Sequence, residues 1–349
     1  MRVCIASYDD DPPEGGQGVY VRGLRDALQL QGVEVRTVSG RGANAIHYPR
    51  ILHRAPLDFS LALTRDPAPL LQPRPDVVHA QGGPGGVLLP RRIDVPLVYT
   101  AHHTYRQAYR QWAPRRALSP LERRSYRLAQ AVIAVSPSTA QAVRAIGFQN
   151  VEVIPPGIDL EALARHGESL RDPGLVLFAG RLEPEKGPLD AVAVMRALEE
   201  RDPRVHGVVA GSGSLDVQVR DAARRSRAVD VRGRVSDDEL RRLYASAAVL
   251  VVPSRYEGLG MVALEAMAAG AAVVGFDVTG LRDAVGERGV LVPPGDTAAM
   301  ARAVGELLAD PARRAEVVER SVQAVRRTHS WGTCAEAVQE MYRQVATPR

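Results

Sequence analysis

Ala248-Val249-Leu250-Val251-Val252-Pro253-Ser254-Arg255-Tyr256-Glu257-Gly258-Leu259-Gly260-Met261-Val262-Ala263-Leu264-Glu265-Ala266-Met267-Ala268-Ala269-Gly270 decides how the second half of this chain folds. Its first residues are uniformly apolar and mostly branched, the composition of a strand buried on both faces. Pro253 stops that strand, a glycine-containing turn follows, and a helical stretch begins near Gly260 and stops at Gly270. Strand, turn and helix make one βα unit, and repeated βα units imply a mainly parallel sheet covered on both faces. Ligands of such open sheets sit beyond the carboxyl ends of the strands, and Glu257 lies at such an end.

Outward from this stretch the same alternation recurs. Strands are expected at 175–179, 205–210, 229–231, 272–275 and 289–292, and in the first half at 3–6, 33–38, 76–80, 96–101, 131–135 and 151–154. Helices are expected at 19–30, 118–130, 137–146 and 331–345, and after Gly187, where Ala191, Val194, Met195 and Leu198 share one face. A polar stretch near 164–173 separates the two series, and a length of 349 residues favours two domains. The expectation is an α/β protein of two Rossmann-like, doubly wound parallel-sheet domains facing a central cleft. The first domain is expected over residues 1–163 and the second over 164–329, with the 330–349 helix expected to cross back to the first.

Composition narrows the class. An apolar content of 45% suffices for two cores, and no run of 18 apolar residues is present to span a bilayer. Asp9, Asp10 and Asp11 come too early for a signal peptide, and Cys4 and Cys334 have neither disulfide-framework nor zinc spacing, so a reduced, cytoplasmic chain is expected. The net charge of +5 is uneven, because residues 1–160 carry +6 and the remainder −1. Part of the surplus lies between Tyr105 and Arg127, where Arg106, Arg110, Arg115, Arg116, Arg123, Arg124 and Arg127 face one acid, Glu122, and Tyr105, Tyr109 and Trp112 are interleaved. Such a segment suits either an anionic membrane surface, from the inner face of the membrane, or a solvated helix face. No nucleic-acid module is recognisable, and no nucleic-acid partner is expected.

Lys186 is the only lysine, the other 44 basic residues being arginine, and it stands five residues after Arg181 beyond a strand-like run. A planar fork beside a focused ammonium charge suits phosphate. Glu257 in the glycine turn and Glu265 on the following helix are carboxylates suited to sugar hydroxyls, and the glycines let backbone N–H groups approach a ligand closely. With 19 glutamates in the chain, about one E-x7-E pair arises by accident, so the spacing counts only together with the strand, turn and helix. The bland alternative is one acid at a helix start and another exposed on its side.

Gly180-Arg181-Leu182-x3-Lys186-Gly187 combined with Glu257-Gly258-Leu259-Gly260-Met261-Val262-x2-Glu265-Ala266-Met267-Ala268 resembles the family 4 retaining glycosyltransferases, which have the GT-B fold. The resemblance extends through Gly15-Gly16, Thr100-Ala101-His102, the segment Val153 to Asp159, and Ser330-Trp331. It implies a hexosyl transfer from a UDP- or GDP-hexose to an acceptor hydroxyl, saccharide or lipid-linked, giving an α-glycoside. It implies that Arg181 and Lys186 hold the diphosphate, Glu265 the ribose hydroxyls, and Glu257 the hexose. Gly258, Leu259, Gly260, Met261 and Val262 would offer amides, Gly16 an amide from the first domain, and Val235 its backbone to the base. His102 would lie near the reacting centre, whereas His79 is read as structural. No metal and no cofactor is expected, and Asp9 and Asp11 are read as a solvated acceptor-side loop despite their D-x-D pattern.

Three other functions fit these residues less well. An NAD(P)-dependent oxidoreductase is disfavoured because Gly16-Gln17-Gly18-Val19-Tyr20-Val21 lacks the third glycine, and the second strand ends in Val38-Ser39 with no acid for a ribose. A sugar-nucleotide epimerase or hydrolase would use the same fold and differ in its product. A catalytically silent nucleotide-sugar binder is disfavoured because the charged positions are all present.

Overall fold

A computed structural model describes residues 1–13, 15–89, 91–108, 118–165 and 171–347. Tyr109, Arg110, Trp112, Arg115 and Arg116 of the basic stretch lie outside the described residues. The chain forms two compact units, Met1–Gly157 with His329–Arg349, and Ile158–Thr328. The division falls before the boundary expected at 163/164, because helix Leu160–Ala164 packs onto helices of the second unit. Asp159, whose carboxylate accepts from Ala162 N at 2.9 Å, caps that helix.

In the first unit the strands are β1 (Arg2–Ser7), β2 (Glu34–Ser39), β3 (Val77–Gly82), β4 (Leu97–Ala101), β5 (Ala131–Ala134) and β6 (Val151–Val153). They pair in parallel in the order β2-β1-β3-β4-β5-β6. In the second unit the strands are β7 (Asp172–Ala179), β8 (His206–Ala210), β9 (Val229–Gly233), β10 (Ala247–Val252), β11 (Ala272–Phe276) and β12 (Val290–Val292). Their order is β12-β11-β10-β7-β8-β9, again parallel. Every residue of β3, β4, β5, β10 and β11 is buried, which is why β5, β10 and β11 read as unbroken apolar runs, while β3 and β4 also bury His79, Gln81 and Thr100. The direction of winding reverses between β1 and β3 in one sheet and between β7 and β10 in the other. At those points the loops leave toward opposite faces and open a crevice.

Several helices are not legible in the sequence, among them Ala55–Arg65, Asp216–Ala223, Asp237–Ser246, Thr297–Ala309 and Pro311–Thr328. Ala55–Arg65 buries Phe59 and Leu63. Its Asp58 accepts backbone N–H bonds from Ile51, Leu52 and Arg54 at 3.0, 2.6 and 3.1 Å. Pro311–Thr328 is a long polar helix with only Val317, Ser321 and Val325 buried, too thin an apolar stripe to stand out.

The last helix, Trp331–Ala346, belongs to the first unit and is tied into it by a buried polar chain. Tyr342 Oη lies 2.6 Å from His79 Nδ1, His79 Nε2 lies 2.7 Å from Thr100 Oγ1, and Tyr20 Oη lies 3.3 Å from the same hydroxyl. All four residues are fully or almost fully buried. Trp331 packs over Gly23, where a Cβ would come within 2.2 Å of the indole. Both ring nitrogens of His79 are therefore engaged inside the core, and burial pushes its pKa down to about 3.

Unfolding returns His79 to an ordinary value near 6.5. As pH falls below that value the unfolded chain takes up the proton first, so stability is complete above it and is lost on the way down toward the folded value. Thermal melts from about pH 7 to 4 should show a falling midpoint. His79→Gln should be less stable at neutral pH by about 1–3 kcal/mol and show a shallower acid decline. An unchanged slope in that variant would assign the acid sensitivity to other groups.

Candidate functional site

The reversal point of the second sheet sets β7 beside β10, with Val249 opposite Val176 and Leu250 opposite Leu177. The loop leaving β7 runs from Gly180 to Gly187, and the loop leaving β10 runs from Pro253 to Gly260. They are cross-linked by Arg255 N donating to Glu185 O at 2.9 Å. A second tie is the ion pair of Arg255 with Asp190 at 2.7 Å. Lys186 ends a single turn of tight helix, Pro184–Lys186, and Gly187 follows in the left-handed region with φ 65°. A Cβ on Gly187 would come within 2.3 Å of Pro253 O, so the loops can approach this closely only with glycine there.

That approach brings Lys186 Nζ to 2.6 Å from Glu257 Oε1. Ser254, which is buried, donates its hydroxyl to the same oxygen at 2.8 Å. The Glu257 side chain is only 8% exposed and that of Lys186 23%, so the pair is shielded and its charge-assisted bond is strong. Two donors converge on Oε1, and Oε2 has no hydrogen bond among the described residues. Gly260, at φ 80°, then turns the chain into helix Met261–Ala268. The first amides of that helix have no partner within it, which makes the turn of Gly258, Leu259, Gly260, Met261 and Val262 a natural anion or hydroxyl cradle.

Glu265 lies on the same helix, half-buried, and accepts from the buried Tyr244 Oη at 3.0 Å. Burial pushes that phenol well above its ordinary value, so it stays a donor. Arg181 is more exposed and pairs with Glu185 at 2.9 Å. The structure thus joins Lys186 to Glu257 and gives Arg181 a different carboxylate. Val235 leaves the edge strand β9 and precedes Ser236, which caps helix Asp237–Ser246. The Gly211-Ser212-Gly213-Ser214 turn, open on sequence to an anion role, braces the β7 loop. Leu182 N donates to Ser212 O at 2.9 Å, and the Ser214 amide and hydroxyl both donate to Glu183, at 3.0 and 2.6 Å.

In the first unit, Gly16 opens helix Gly16–Leu30 beyond the carboxyl end of β1, and a Cβ there would meet nothing within 4 Å. Asp9 shapes this loop: its Oδ2 accepts from Gly15 N at 3.0 Å and its Oδ1 lies 3.3 Å from Arg41. This corrects the expectation of a solvated D-x-D loop, since Asp9 is buried at 8% exposure, and Asp11 pairs with Arg25 at 3.7 Å. Arginines and a helix-start amide compensate these acids, so they are structural anchors. His102 follows β4 directly. Its Nε2 lies 2.9 Å from the Oε1 of the buried Gln81, and its ring packs edge-on to Tyr20 at 4.9 Å. Burial, with smaller contributions from His103 and His79, lowers its pKa to about 3, so it is a neutral imidazole at physiological pH.

Ser254, Tyr244 and Gln81 were missed on sequence. Ser254 alone carried a local signal, a hydroxyl three residues before Glu257 at a strand end. Tyr244 and Gln81 reach their partners across the fold.

Residues 14–162 match the family model described as Glycosyltransferase Family 4, and residues 173–310 that described as Glycosyl transferases group 1. The D-inositol 3-phosphate glycosyltransferase of Xylanimonas cellulosilytica is 33% identical over 412 aligned positions, covering 100% of this chain and 98% of that protein. The glycogen synthase of Mycobacterium tuberculosis is 33% identical over 284 positions, covering 77% of this chain and 69% of its own length. Among solved structures, sucrose-phosphate synthase from Thermosynechococcus elongatus superposes with a TM-score of 0.79 at 24% identity, covering 99% of this chain and 98% of that one. Anabaena HepE in complex with UDP and glucose superposes with a TM-score of 0.73 at 18% identity, covering 99% and 100%.

Gly187→Ala should combine left-handed strain with the clash at Pro253 O, costing about 1–3 kcal/mol, and should also move Lys186. The expected result is a lower melting midpoint together with weaker nucleoside diphosphate binding in calorimetry. Wild-type affinity in this variant would show that the tight approach of the loops is not needed.

Proposed function

The chain belongs to glycosyltransferase family 4, has the GT-B fold and is a glycosyltransferase; we propose that it moves a hexosyl group from UDP- or GDP-hexose to an acceptor hydroxyl with retention. The observation that carries this proposal is the Lys186–Glu257–Ser254 cluster at the reversal point of the second sheet. Without ligand, Lys186 is neutralised by Glu257. An arriving diphosphate competes for the ammonium group and draws Lys186 toward the β-phosphate, with Arg181 as the second cation. Glu257 then keeps the Ser254 hydroxyl and turns its acceptor oxygens to the hexose hydroxyls.

The remaining roles follow the same chemistry. Glu265, held by Tyr244, accepts from the ribose hydroxyls, and the backbone at Val235 meets the base. The amides of Gly258 to Val262 bind hexose and phosphate, and Gly16 supplies a further amide. His102, a neutral imidazole, serves as a hydrogen-bonding group near the sugar. As the glycosidic bond breaks, charge builds on the β-phosphate, and fixed cations and amides stabilise it without reorganising. We assign this work to the protein's own charges, with no metal ion and no cofactor. The departing phosphate takes the acceptor proton on the same face, giving an α-glycoside from an α-linked donor.

The acceptor is a saccharide or a lipid-linked sugar. No helix among the described residues is long and apolar enough to cross a membrane. A lipid-linked acceptor would therefore be met peripherally, at the cytoplasmic face, by the basic stretch Tyr105–Arg127. An epimerase or hydrolase is not favoured, since the curated relatives named above are a glycosyltransferase and a glycogen synthase.

Lys186→Ala and Lys186→Arg should each lower kcat by about 10²-fold or more, because the position requires a compact charge. Glu257→Gln should impair transfer while leaving UDP or GDP binding largely intact. Product analysis with UDP- and GDP-hexoses, before and after dialysis against EDTA, checks both points. Wild-type rates in Lys186→Arg, or loss of bare nucleotide binding in Glu257→Gln, would overturn the assignment of these two residues.

A further inference from the structure

The first unit contains a cavity of about 870 Å³ lined in part by the basic stretch Tyr105–Arg127 that was proposed above to meet a membrane surface. Four guanidinium groups line it, those of Arg106, Arg123, Arg124 and Arg127. The first comes from the short helix Tyr105–Ala108 and the others from helix Ser119–Leu128. Pro120, Leu128 and Ile146 give it an apolar wall, and no acidic residue lines it among the described residues. The carbonyl end of helix Pro137–Ala145 stands at its edge, where the Arg123 and Arg127 guanidinium groups lie against Gly147. The negative end of that helix dipole helps hold like charges close together.

The nearest acid does not offset these charges. Glu122 sits on the same helix but is turned into the core, where it accepts from Tyr105 N at 3.0 Å and Tyr126 Oη at 3.2 Å. Burial pushes its pKa up to about 8, so at neutral pH it is largely uncharged. Arg106, Arg123 and Arg127 converge on one cavity and form no ion pair with any described residue. Converging unpaired guanidinium groups create a strong positive potential, and a bound anion is what relieves it.

We propose that this pocket is an anion site for a phosphate ester bearing an organic arm. Guanidinium forks match phosphate oxygens in geometry, the apolar wall accommodates the arm, and the volume exceeds what a bare phosphate fills. The ester is either a soluble polyol or sugar phosphate or the headgroup of a phospholipid, which present the same group to the arginines. The inference uses only residues of the first unit and does not depend on the donor assignment.

The test pairs two probes with one variant, Arg106→Gln/Arg123→Gln/Arg127→Gln. Glycerol 3-phosphate is titrated by calorimetry at low salt with UDP in excess, so that a nucleotide site is already filled. Flotation compares phosphatidylglycerol with phosphatidylcholine vesicles. The wild type should bind at least one of the two phosphate probes, with at least tenfold loss in the variant and weakening as salt rises. Binding of glycerol 3-phosphate alone identifies a soluble ligand, and flotation with phosphatidylglycerol alone identifies a headgroup. Binding of neither probe, or equal binding by the variant, overturns the proposal. Melting midpoint and UDP affinity are measured alongside, so a failed donor assignment shows as lost UDP binding in both proteins. Should the triple variant fail to fold, Arg127→Glu is read in the same assays.

Discussion

Lys186 and Glu257 are 71 residues apart in the chain and 2.6 Å apart in space, and the chemistry proposed for the second unit depends on that contact. It exists because β7 and β10 are hydrogen-bonded neighbours while the strands between them in sequence, β8 and β9, are laid down on the far side of β7. The reversal sends the two loops to opposite faces, and the glycine at position 187 lets them meet again over the strand ends. A near-buried carboxylate would be costly alone, but here an ammonium group and a hydroxyl converge on one of its oxygens. The resting site is therefore balanced, and a ligand that competes for the ammonium group leaves the carboxylate available rather than stranded.

The first unit solves a different problem, that of fixing a helix from the far end of the chain. The apolar packing of Trp331 over Gly23 contributes contact area. The chain of Tyr342, His79, Thr100 and Tyr20 contributes register, because each buried polar atom is satisfied only in one arrangement. Tyr20 also packs edge-on to His102, so the same network that anchors the last helix borders the residue nearest the proposed reacting centre. Structural and functional groups are here adjacent links of one polar core.

Arginine usage is the other thread. Where a guanidinium group meets a carboxylate, as in Arg25 with Asp10 and Asp11 or Arg41 with Asp9, it converts an apparently metal-binding acidic run into a loop anchor. Along helix Ser119–Leu128 the one acid, Glu122, is turned into the core, and Arg123 and Arg127 line a pocket without an ion pair to any described residue. Composition alone does not separate these outcomes, because both draw on the same residues.

The sequence by itself determined the twelve strands, their alternation with helices and the division into two sheets, because the strands are short segments rich in branched apolar residues and bounded by glycine, proline and polar turns. It also marked Lys186 and Glu257 as candidates, since both stand beside glycines in loops that leave strand ends, whatever their partners. It did not reveal helix Pro311–Thr328, whose apolar stripe is too sparse, or the burial of Asp9, which depends on Arg41 arriving from another loop. Only the tertiary structure decided that Lys186 pairs with Glu257 while Arg181 turns to Glu185, and that Ser254, Tyr244 and Gln81 hold the residues beside them. Strand periodicity is a local property written every second residue, whereas ion pairing is set by which strands become neighbours, and that depends on the whole winding order of the sheet.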